Sequence, residues 1–399
     1  MASYTQDRPP EAANRADSAL SPAVRLFGDA VGAFGDLGTF LPLVVAILAT
    51  GAFAAGGILW GFGLFAIATG LVYRRPVPVQ PMKAVSALII IGQLTPGETA
   101  ATGLLVGAAL LTLGATGLIS RLNRLIPLSV LLGIQAGLGL QLLLAGLKIP
   151  GAEAGYSVYA VLAVILAGLL AMRYFRFGFV LLPVLLAGGI GYSLVAGGSP
   201  PMSFAVALPA MLLPGADDFA AAVGTSLLPQ LALTVTNAVL LTALIAADYF
   251  PQDKDRISPR RLSLTTGVLN LALAPFGALP MCHGAGGLPA QYRFGARTGL
   301  APVIFGVSCI VLALLAGETA AQWMALVPAA VVAAMLAFAG IQLVNVKKLA
   351  SVRTDCYPAI AAVTVISVAF GITWGLLVGL VIEFGRNALR DRIAAGTDD

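Results

Sequence analysis

The sequence predicts an all-α integral membrane protein of about fourteen transmembrane segments, arranged as a seven-plus-seven inverted repeat. Three observations predict this fold: the apolar composition, the distribution of charge between loops, and short motifs that recur in both halves. Of the 399 residues, 59% are hydrophobic and 10% are charged, whereas soluble globular proteins carry about 25% charged residues. This composition excludes an ordinary soluble domain.

Each predicted span is an apolar segment of about 20 residues, or a shorter one that is broken inside the membrane. The last two are the least distinct, because 357–386 is also compatible with one long apolar run that bends at Gly371. The predicted spans are 34–50, 56–73, 79–92, 99–120, 125–147, 157–173, 177–196, 224–247, 262–279, 281–292, 300–317, 321–344, 357–370 and 371–386.

Loop charges support this count. With a cytoplasmic N-terminus, the basic loop residues fall on the cytoplasmic side except Lys148, as the positive-inside rule requires. We therefore expect both termini in the cytoplasm, in a bacterial inner membrane. The predicted domains are a cytoplasmic tail (1–25), the first repeat (26–198), an extracytoplasmic linker (199–222), the second repeat (223–388) and a cytoplasmic C-terminal tail (389–399).

The two halves share short motifs in the same order. The segment GTFLP at 38–42 recurs loosely as GTSLLP at 224–229, and Pro-Met at 81–82 recurs at 280–281. A third match keeps one constant offset and pairs Pro127, Gly139 and Gln141 with Pro328, Gly340 and Gln342. Because seven spans is an odd number, the second half must enter the membrane with opposite polarity, as in inverted-repeat transporters.

Two segments that interrupt predicted spans carry the main candidate site. They are PVPVQPMKAVS at 76–86 and LPMCHGAGGL at 279–288, in the third and tenth spans. Non-helical backbone survives in a bilayer only where it is buried in protein or lines a cavity. Interrupted segments at matching places in two halves indicate a transporter's binding site. Each contributes one polar side chain at membrane depth, Lys83 and His283.

The first segment predicts a half-helix that begins near Met82 and runs through Ile91, after an extended, proline-rich stretch. The free N–H groups and positive dipole end of this half-helix suit an anion. Lys83 lies in its first turn, where a basic side chain opposes the dipole, so an anionic ligand is the simplest reason for it. In the second segment, Gly284 and Gly286 allow the backbone to approach a ligand closely.

These arguments give two sets of candidate residues and predict no metal site and no cofactor. The second set, for coupling or structure, is Asp36, Thr39 and Asn237. The predicted substrate-binding set flanks the two breaks and comprises Gln80, Met82, Lys83, Ala84, Cys282, His283, Gly284 and Gly286.

Several of these side chains also have a purely structural interpretation. Lys83 could pair with Asp36, His283 could pack with a bond to a carbonyl group, and Gln80 could satisfy backbone groups that the prolines leave free. Asp36 could carry a coupling proton, or cap the first helix near the cytoplasmic face, which is the favoured interpretation. Cys282 is expected to pack rather than react.

Three segments carry a resemblance to a known family: FGDLGTFLPL at 34–43, PVPVQPMKA at 76–84 and FGALPMCHGAGGLPAQYRFGAR at 276–297. They resemble the signature blocks of the molybdate-transporter family, a branch related to the SulP sulfate permeases, and the resemblance covers about residues 27–120 and 224–300. The resemblance implies molybdate uptake, with sulfate as the nearest competing substrate. It also implies a core domain (spans 1–4 and 8–11) that moves elevator-fashion against a gate domain (spans 5–7 and 12–14), without a C-terminal regulatory (STAS) domain.

The predicted function is therefore secondary active transport of a tetrahedral oxyanion, with molybdate first and sulfate as the alternative. A nucleobase or organic-anion permease is less favoured, because spans 8 to 10 offer Asn237, Asn270 and His283 but no carboxylate at the midplane. A channel stays open as an alternative. An enzyme is not predicted, since one histidine and no clustered carboxylates leave little for an active site. Expected partners are the oxyanion, the bilayer and a second copy of the chain, but no nucleic acid.

Overall fold

The computed structural model describes residues 21–119, 127–148, 209–316 and 349–395, with a few isolated positions between 188 and 344. These residues are mostly helical, and two short strands, β1 (Gln80–Pro81) and β2 (Met281–Cys282), interrupt the helices. In chain order the helices are α1 (Pro22–Gly32), α2 (Leu37–Ala49), α3 (Ala55–Tyr73), α4 (Lys83–Ile90), α5 (Pro96–Thr116), α6 (Leu128–Lys148), α7 (Ala216–Tyr249), α8 (Pro259–Leu273), α9 (Gly287–Arg293), α10 (Leu300–Ala316), α11 (Tyr357–Phe370) and α12 (Ile372–Ala395).

The described helices confirm an all-α membrane fold. Five helical segments are long and apolar enough to cross a bilayer: Pro22–Ala49, Ala55–Tyr73, Pro96–Thr116, Leu128–Ala145 and Ala216–Tyr249. The predicted spans 157–173 and 177–196, and most of 321–344, lie outside the described residues. The total of fourteen spans therefore stays a prediction.

Close glycine contacts pair the helices of the two halves in the pattern of an inverted repeat. Helix α3 packs on α10 where a Cβ on Gly63 would lie 3.0 Å from the Gly306 carbonyl oxygen. Helix α5 packs on α8 where a Cβ on Gly107 would lie 3.0 Å from the Gly267 carbonyl oxygen. In the predicted repeat, α3 (span 2) is equivalent to α8 (span 9), and α5 (span 4) is equivalent to α10 (span 11). The repeat symmetry therefore converts the α3–α10 contact into the α5–α8 contact.

The constant offset found in the sequence also has a structural counterpart. Gly139 on α6 and Gly340 face each other so closely that a Cβ on either would overlap the carbonyl oxygen of the other. Residues that a two-fold axis exchanges meet one another only on that axis. The mutual contact of Gly139 and Gly340 therefore indicates where the pseudo-two-fold axis passes.

The last apolar stretch forms two helices rather than one. Gly371 separates α11 from α12 with φ 98°, a conformation that other residues rarely adopt. The two helices then run back along each other, because a Cβ on Gly375 would meet the Ser367 hydroxyl and a Cβ on Gly379 would lie 2.5 Å from Val363. The alternative of a single bent span is therefore wrong.

Loops predicted to share a side of the membrane lie together. Arg75 Nε, after α3, lies 2.7 Å from Asp253 Oδ2, after α7, and donates from Nη1 to the Arg297 carbonyl oxygen, after α9. All three loops are predicted to be cytoplasmic. On the predicted outer side, the carboxylate of Asp218 lies against Gly97, at the start of α5. The assignment of loops to sides is thus internally consistent in three dimensions.

Some helices extend beyond their predicted bounds because capping residues lie outside the apolar runs. Ser21 caps α1, with Pro22 at the first helical position, inside the predicted N-terminal tail. Asp218 accepts from the Gly215 N–H (2.8 Å) at the start of α7, inside the predicted linker. Helix α12 continues to Ala395, into the predicted C-terminal tail. Hydropathy alone does not include these polar turns.

Candidate functional site

The two interrupted segments cross in the centre of the structure. Strand β1 pairs with β2 in antiparallel register, with Gln80 opposite Cys282 and Pro81 opposite Met281. The Met82 N–H extends the pairing by donating to the Pro280 carbonyl oxygen at 2.8 Å. Proline fixes φ and pushes the preceding residue out of the helical region, which explains why both segments are extended here.

The half-helix predicted in the first repeat is present. Helix α4 spans Lys83–Ile90, after Met82 in an extended conformation, within one residue of the predicted bounds. Lys83 is its first residue and is partly exposed, whereas Met82 and Ala84 are fully buried. Its counterpart α9 is shorter than predicted and begins only at Gly287, since the glycine-rich run before it does not form a helix.

Polar side chains satisfy the backbone groups that the breaks leave unpaired. Asn270 on α8 accepts from the Met281 N–H (2.8 Å) and donates to the Met281 carbonyl oxygen (2.7 Å). Thr242 on α7 donates to the His283 carbonyl oxygen at 3.1 Å. Buried backbone groups without such partners would be costly in a membrane. Asn270 therefore supports the backbone at the crossing.

His283 lies in a packed environment. Its side chain is fully buried, with Nδ1 3.2 Å from the Pro78 carbonyl oxygen and Nε2 3.5 Å from the Thr265 hydroxyl. Its ring packs edge-on against Phe65 and Tyr73 at centroid distances of 5.5 and 5.4 Å. This geometry matches the structural interpretation of His283, and its substrate-binding role stays a prediction.

Asp36, Gln80 and Lys83 form a polar cluster at the crossing. Gln80 is 1% exposed and donates from Nε2 to Asp36 Oδ2 at 2.5 Å. Lys83 interacts electrostatically with Asp36, and the Thr39 side chain is a hydrogen-bonding neighbour of the same carboxylate. Asp36 occupies the predicted N-cap position, directly before α2, but its side chain makes no capping bond. The carboxylate instead accepts from Gln80, and the coupling or structural role of Asp36 stays a prediction.

The glycines of the second segment differ in what surrounds them. A Cβ on Gly284 would overlap the side-chain amide of Gln80, and a Cβ on Gly287 would overlap the carboxylate of Asp36. Gly286 is exposed and has no atom within 4 Å of such a Cβ in the described part of the chain. Gly284 is thus required to position the cluster, whereas Gly286 borders open space. Cys282 is buried and forms no disulfide with another cysteine, and its packing role stays a prediction.

Gln230 is a residue of the site that sequence reasoning missed. Its Oε1 accepts from the Ala84 N–H (3.0 Å) and the Val85 N–H (3.2 Å), in the first turn of α4. The prediction that these N–H groups are free is therefore wrong in this conformation. A signal was available, since Gln230 is a polar residue in an apolar span and directly follows the repeated motif that ends at Pro229.

Asn237 does not join the cluster in the contacts described. It is partly buried in a π-helical stretch of α7, and its backbone carbonyl oxygen accepts from the Thr242 hydroxyl at 3.2 Å. Gln141 on α6 bonds between helices, through Nε2 to the Ser367 carbonyl oxygen of α11 at 3.2 Å. Its predicted equivalent Gln342 lies outside the described residues.

Interrupted spans that meet near the middle of the bundle are typical of secondary transporters, and comparison with known proteins decides the family. A family profile described as "Molybdate transporter of MFS superfamily" matches residues 28–142 and 222–343, more than half of the chain. The chain belongs to the molybdate transporter family. "Molybdate transporter 2" from Arabidopsis thaliana is 31% identical to this family member, covering 88% of this chain and 86% of the relative. "Molybdate transporter 1" from Chlamydomonas reinhardtii is 28% identical, covering 88% and 89%.

Solved structures match the fold of this molybdate transporter family member. The transmembrane domain of the cyanobacterial bicarbonate transporter BicA gives a TM-score of 0.64 at 20% identity, over 90% of this chain and 96% of that one. The murine anion transporter Slc26a9 in its inward-facing state gives 0.64 at 14% identity, over 91% and 68%. At such identities the likeness concerns the fold alone. The description of the family profile names the MFS superfamily. The fold is instead assigned from the superposition on BicA and Slc26a9.

These findings confirm the predicted family, the membrane fold and an anion transporter rather than an enzyme. The binding residues, the cytoplasmic termini and the homodimer stay predictions. The relatives named here come from a plant and an alga, so bacterial origin stays a prediction as well.

Proposed function

We propose that the chain is a secondary active transporter that takes up molybdate, and that the anion binds beside Lys83 at the crossing of β1 and β2. One observation carries the proposal. Lys83 is a partly exposed cation at the start of a half-helix that begins within the bundle, in a member of the molybdate transporter family. Ionisable groups at membrane depth are costly and mark substrate pathways.

The charges of the cluster suit a dianion. The positive end of the α4 dipole and the Lys83 ammonium both attract negative charge. Asp36 offsets part of this attraction, so an anion at Lys83 must compete with the carboxylate for the same cation. Such competition keeps binding weak enough for release, which a carrier needs as much as it needs affinity.

We propose that transport follows an elevator mechanism. Helices α3, α5, α8 and α10 pack on one another in the core, and α6, α11 and α12 pack together in the gate. Helices α4 and α7 provide the core surface that meets α6 and α12 of the gate. The polar cluster of Asp36, Gln80 and Lys83 lies on the core side of this boundary, so sliding of the core would carry a bound anion with it.

The proposal extends to the membrane topology and the oligomeric state of the protein. We propose cytoplasmic N- and C-termini, because the basic loops cluster on that side. We also propose a homodimer through the gate, which leaves the core free to move. Mass measurement of the detergent-solubilised protein by light scattering tests the dimer, and a monomeric mass would contradict it.

Uptake by proteoliposomes that contain the purified protein tests the function. We expect molybdate at micromolar concentration to accumulate, with little inhibition by a large excess of sulfate, and empty liposomes give the background. Sulfate accumulation with molybdate as a mere inhibitor would keep the site and reassign the substrate. Accumulation of neither anion by folded protein would contradict the proposed function.

A further inference from the structure

Gln230 occupies the half-helix end that an anion is predicted to use. It lies on α7 and is 2% exposed. Its Oε1 accepts hydrogen bonds from the Ala84 N–H at 3.0 Å and from the Val85 N–H at 3.2 Å. Its Nε2 donates to the Thr234 hydroxyl at 2.8 Å. The amide is therefore held at both ends, and the Ala84 and Val85 N–H groups of α4 are satisfied without any ligand.

The local sequence explains how α7 presents this amide. π-Helical stretches at Val223–Leu227 and Thr234–Leu241 flank the α-helical turn that carries Gln230. Such insertions rotate the face of a helix and are frequent at functional sites. Pro229 lacks an N–H, which frees the Thr225 carbonyl oxygen, and the Thr373 hydroxyl of α12 donates to it at 2.8 Å.

An oxyanion bound at a helix N-terminus takes its hydrogen bonds from the same N–H groups. In this structure a neutral oxygen of the protein already accepts from two of them. An anion oxygen makes stronger, charge-assisted hydrogen bonds than an amide oxygen does. Gln230 and the anion are thus competitors for one pair of donors.

We propose that Gln230 is an internal competitor for the substrate: its Oε1 holds the Ala84 and Val85 donors when the site is empty and yields them to an anion oxygen on binding. The inference rests on the proposed function and deepens it. The exchange leaves the Ala84 and Val85 N–H donors satisfied in both states, so neither becomes an orphaned buried donor. It also makes Gln230 a determinant of affinity, acting through the donors it releases.

Gln230→Ala and Gln230→Met remove the competing oxygen, and Met also preserves the side-chain volume. We expect both to lower the molybdate Kd by about fivefold, the effect of one hydrogen bond, with a fall in the maximal uptake rate because release slows. Gln230→Glu places a stronger, charged competitor at the same donors. We expect that variant to raise the Kd by more than about tenfold.

The measurement is molybdate binding to purified protein by calorimetry, with uptake by proteoliposomes in parallel. Gln141→Ala removes a buried amide in the gate and is the matched control, expected to leave the Kd unchanged. Folding of each variant is checked by thermal unfolding. A Kd that rises in folded Gln230→Met, or stays the same in Gln230→Glu, would overturn the inference and make Gln230 a permanent cap. Absence of binding and uptake in the wild type overturns the proposed function instead.

Discussion

At the scale of single residues, Lys83 carries the proposed site. We expect Lys83→Ala to weaken molybdate binding by about 10- to 100-fold, because a hydrogen bond to a charged group contributes about 1.5–3 kcal/mol. Lys83→Arg keeps the charge and should lose less. Calorimetry with molybdate measures both.

A purely structural Lys83 predicts a different pattern. If Lys83 served only to neutralise Asp36, the double variant Lys83→Ala with Asp36→Asn would recover wild-type affinity, because neither charge would remain unpaired. Our account expects no such recovery. Recovery in the double variant, or unchanged affinity in folded Lys83→Ala, would move the site elsewhere.

A second prediction at this scale concerns substitution of Gly284. A Cβ there would overlap the Gln80 amide, so Gly284→Ala should displace Gln80 from Asp36 and lower molybdate uptake strongly. Gly385→Ala is the matched control, since Gly385 on α12 is exposed with nothing within 4 Å of the added methyl group in the described residues. Equal uptake by the two variants in proteoliposomes would contradict this role of Gly284.

The sequence predicted the neighbourhood of these residues better than their roles. It identified Asp36, Gln80 and Lys83 because polar groups in broken apolar spans are rare and costly. It favoured a cap for Asp36, which does precede α2, but hydropathy carries no signal for the contact of its carboxylate with Gln80, 44 residues away. It missed Gln230 because the contact with Ala84 and Val85 joins positions about 145 residues apart in sequence, as the two hydrogen bonds show.

At the scale of elements, proline and glycine determined what could be predicted. The prolines before Met82 predict an extended strand and a half-helix start, and α4 begins within one residue of the expected position. The second half-helix was harder, because glycines permit several conformations and α9 begins only at Gly287. Helix ends fixed by caps, such as Ser21 before α1, lie outside the apolar windows and escaped prediction.

One hydrogen bond between elements tests the proposed motion. The Thr373 hydroxyl of the gate donates to the Thr225 carbonyl oxygen of the core at 2.8 Å, and an elevator movement must break this bond. We expect Thr373→Val to shift the population about fivefold toward the other conformation, as loss of about 1 kcal/mol predicts. Single-molecule fluorescence transfer between dyes at positions 254 and 353 measures the populations.

Thr364→Val is the control for that experiment. The Thr364 hydroxyl donates to the Gly133 carbonyl oxygen at 3.2 Å, a bond between two helices of the gate. If the gate moves as one body, this bond persists in both conformations and its loss leaves the populations unchanged. Equal shifts in Thr364→Val and Thr373→Val, or no shift in either, would contradict an elevator with this boundary.

At the scale of the whole molecule, Cys356 tests the topology. It is partly exposed in the loop before α11, which is predicted to be cytoplasmic, whereas Cys282 and Cys309 are buried. We expect a membrane-impermeant maleimide to label inside-out vesicles and not right-side-out vesicles, with Cys356→Ser removing the signal. Labelling from the outside would reverse the orientation of every helix.

The global fold was the most predictable level. The apolar composition predicted a membrane protein, and the loop charges assigned each loop consistently to one side. The constant sequence offset between Gly139 and Gly340 predicted the repeat, and the close contact between these two glycines agrees with it. These signals are strong because the bilayer penalises exceptions over many residues at once. Substrate choice is the least predictable, since molybdate and sulfate are both tetrahedral dianions that differ mainly in size.

The most direct test of the central claim is the position of molybdenum in crystals grown with molybdate, measured by anomalous diffraction at the molybdenum absorption edge. Our account predicts one peak at the crossing of β1 and β2, with an oxygen of the anion within hydrogen-bonding distance of Lys83 Nζ. A peak away from the crossing, in protein that accumulates molybdate, would contradict it.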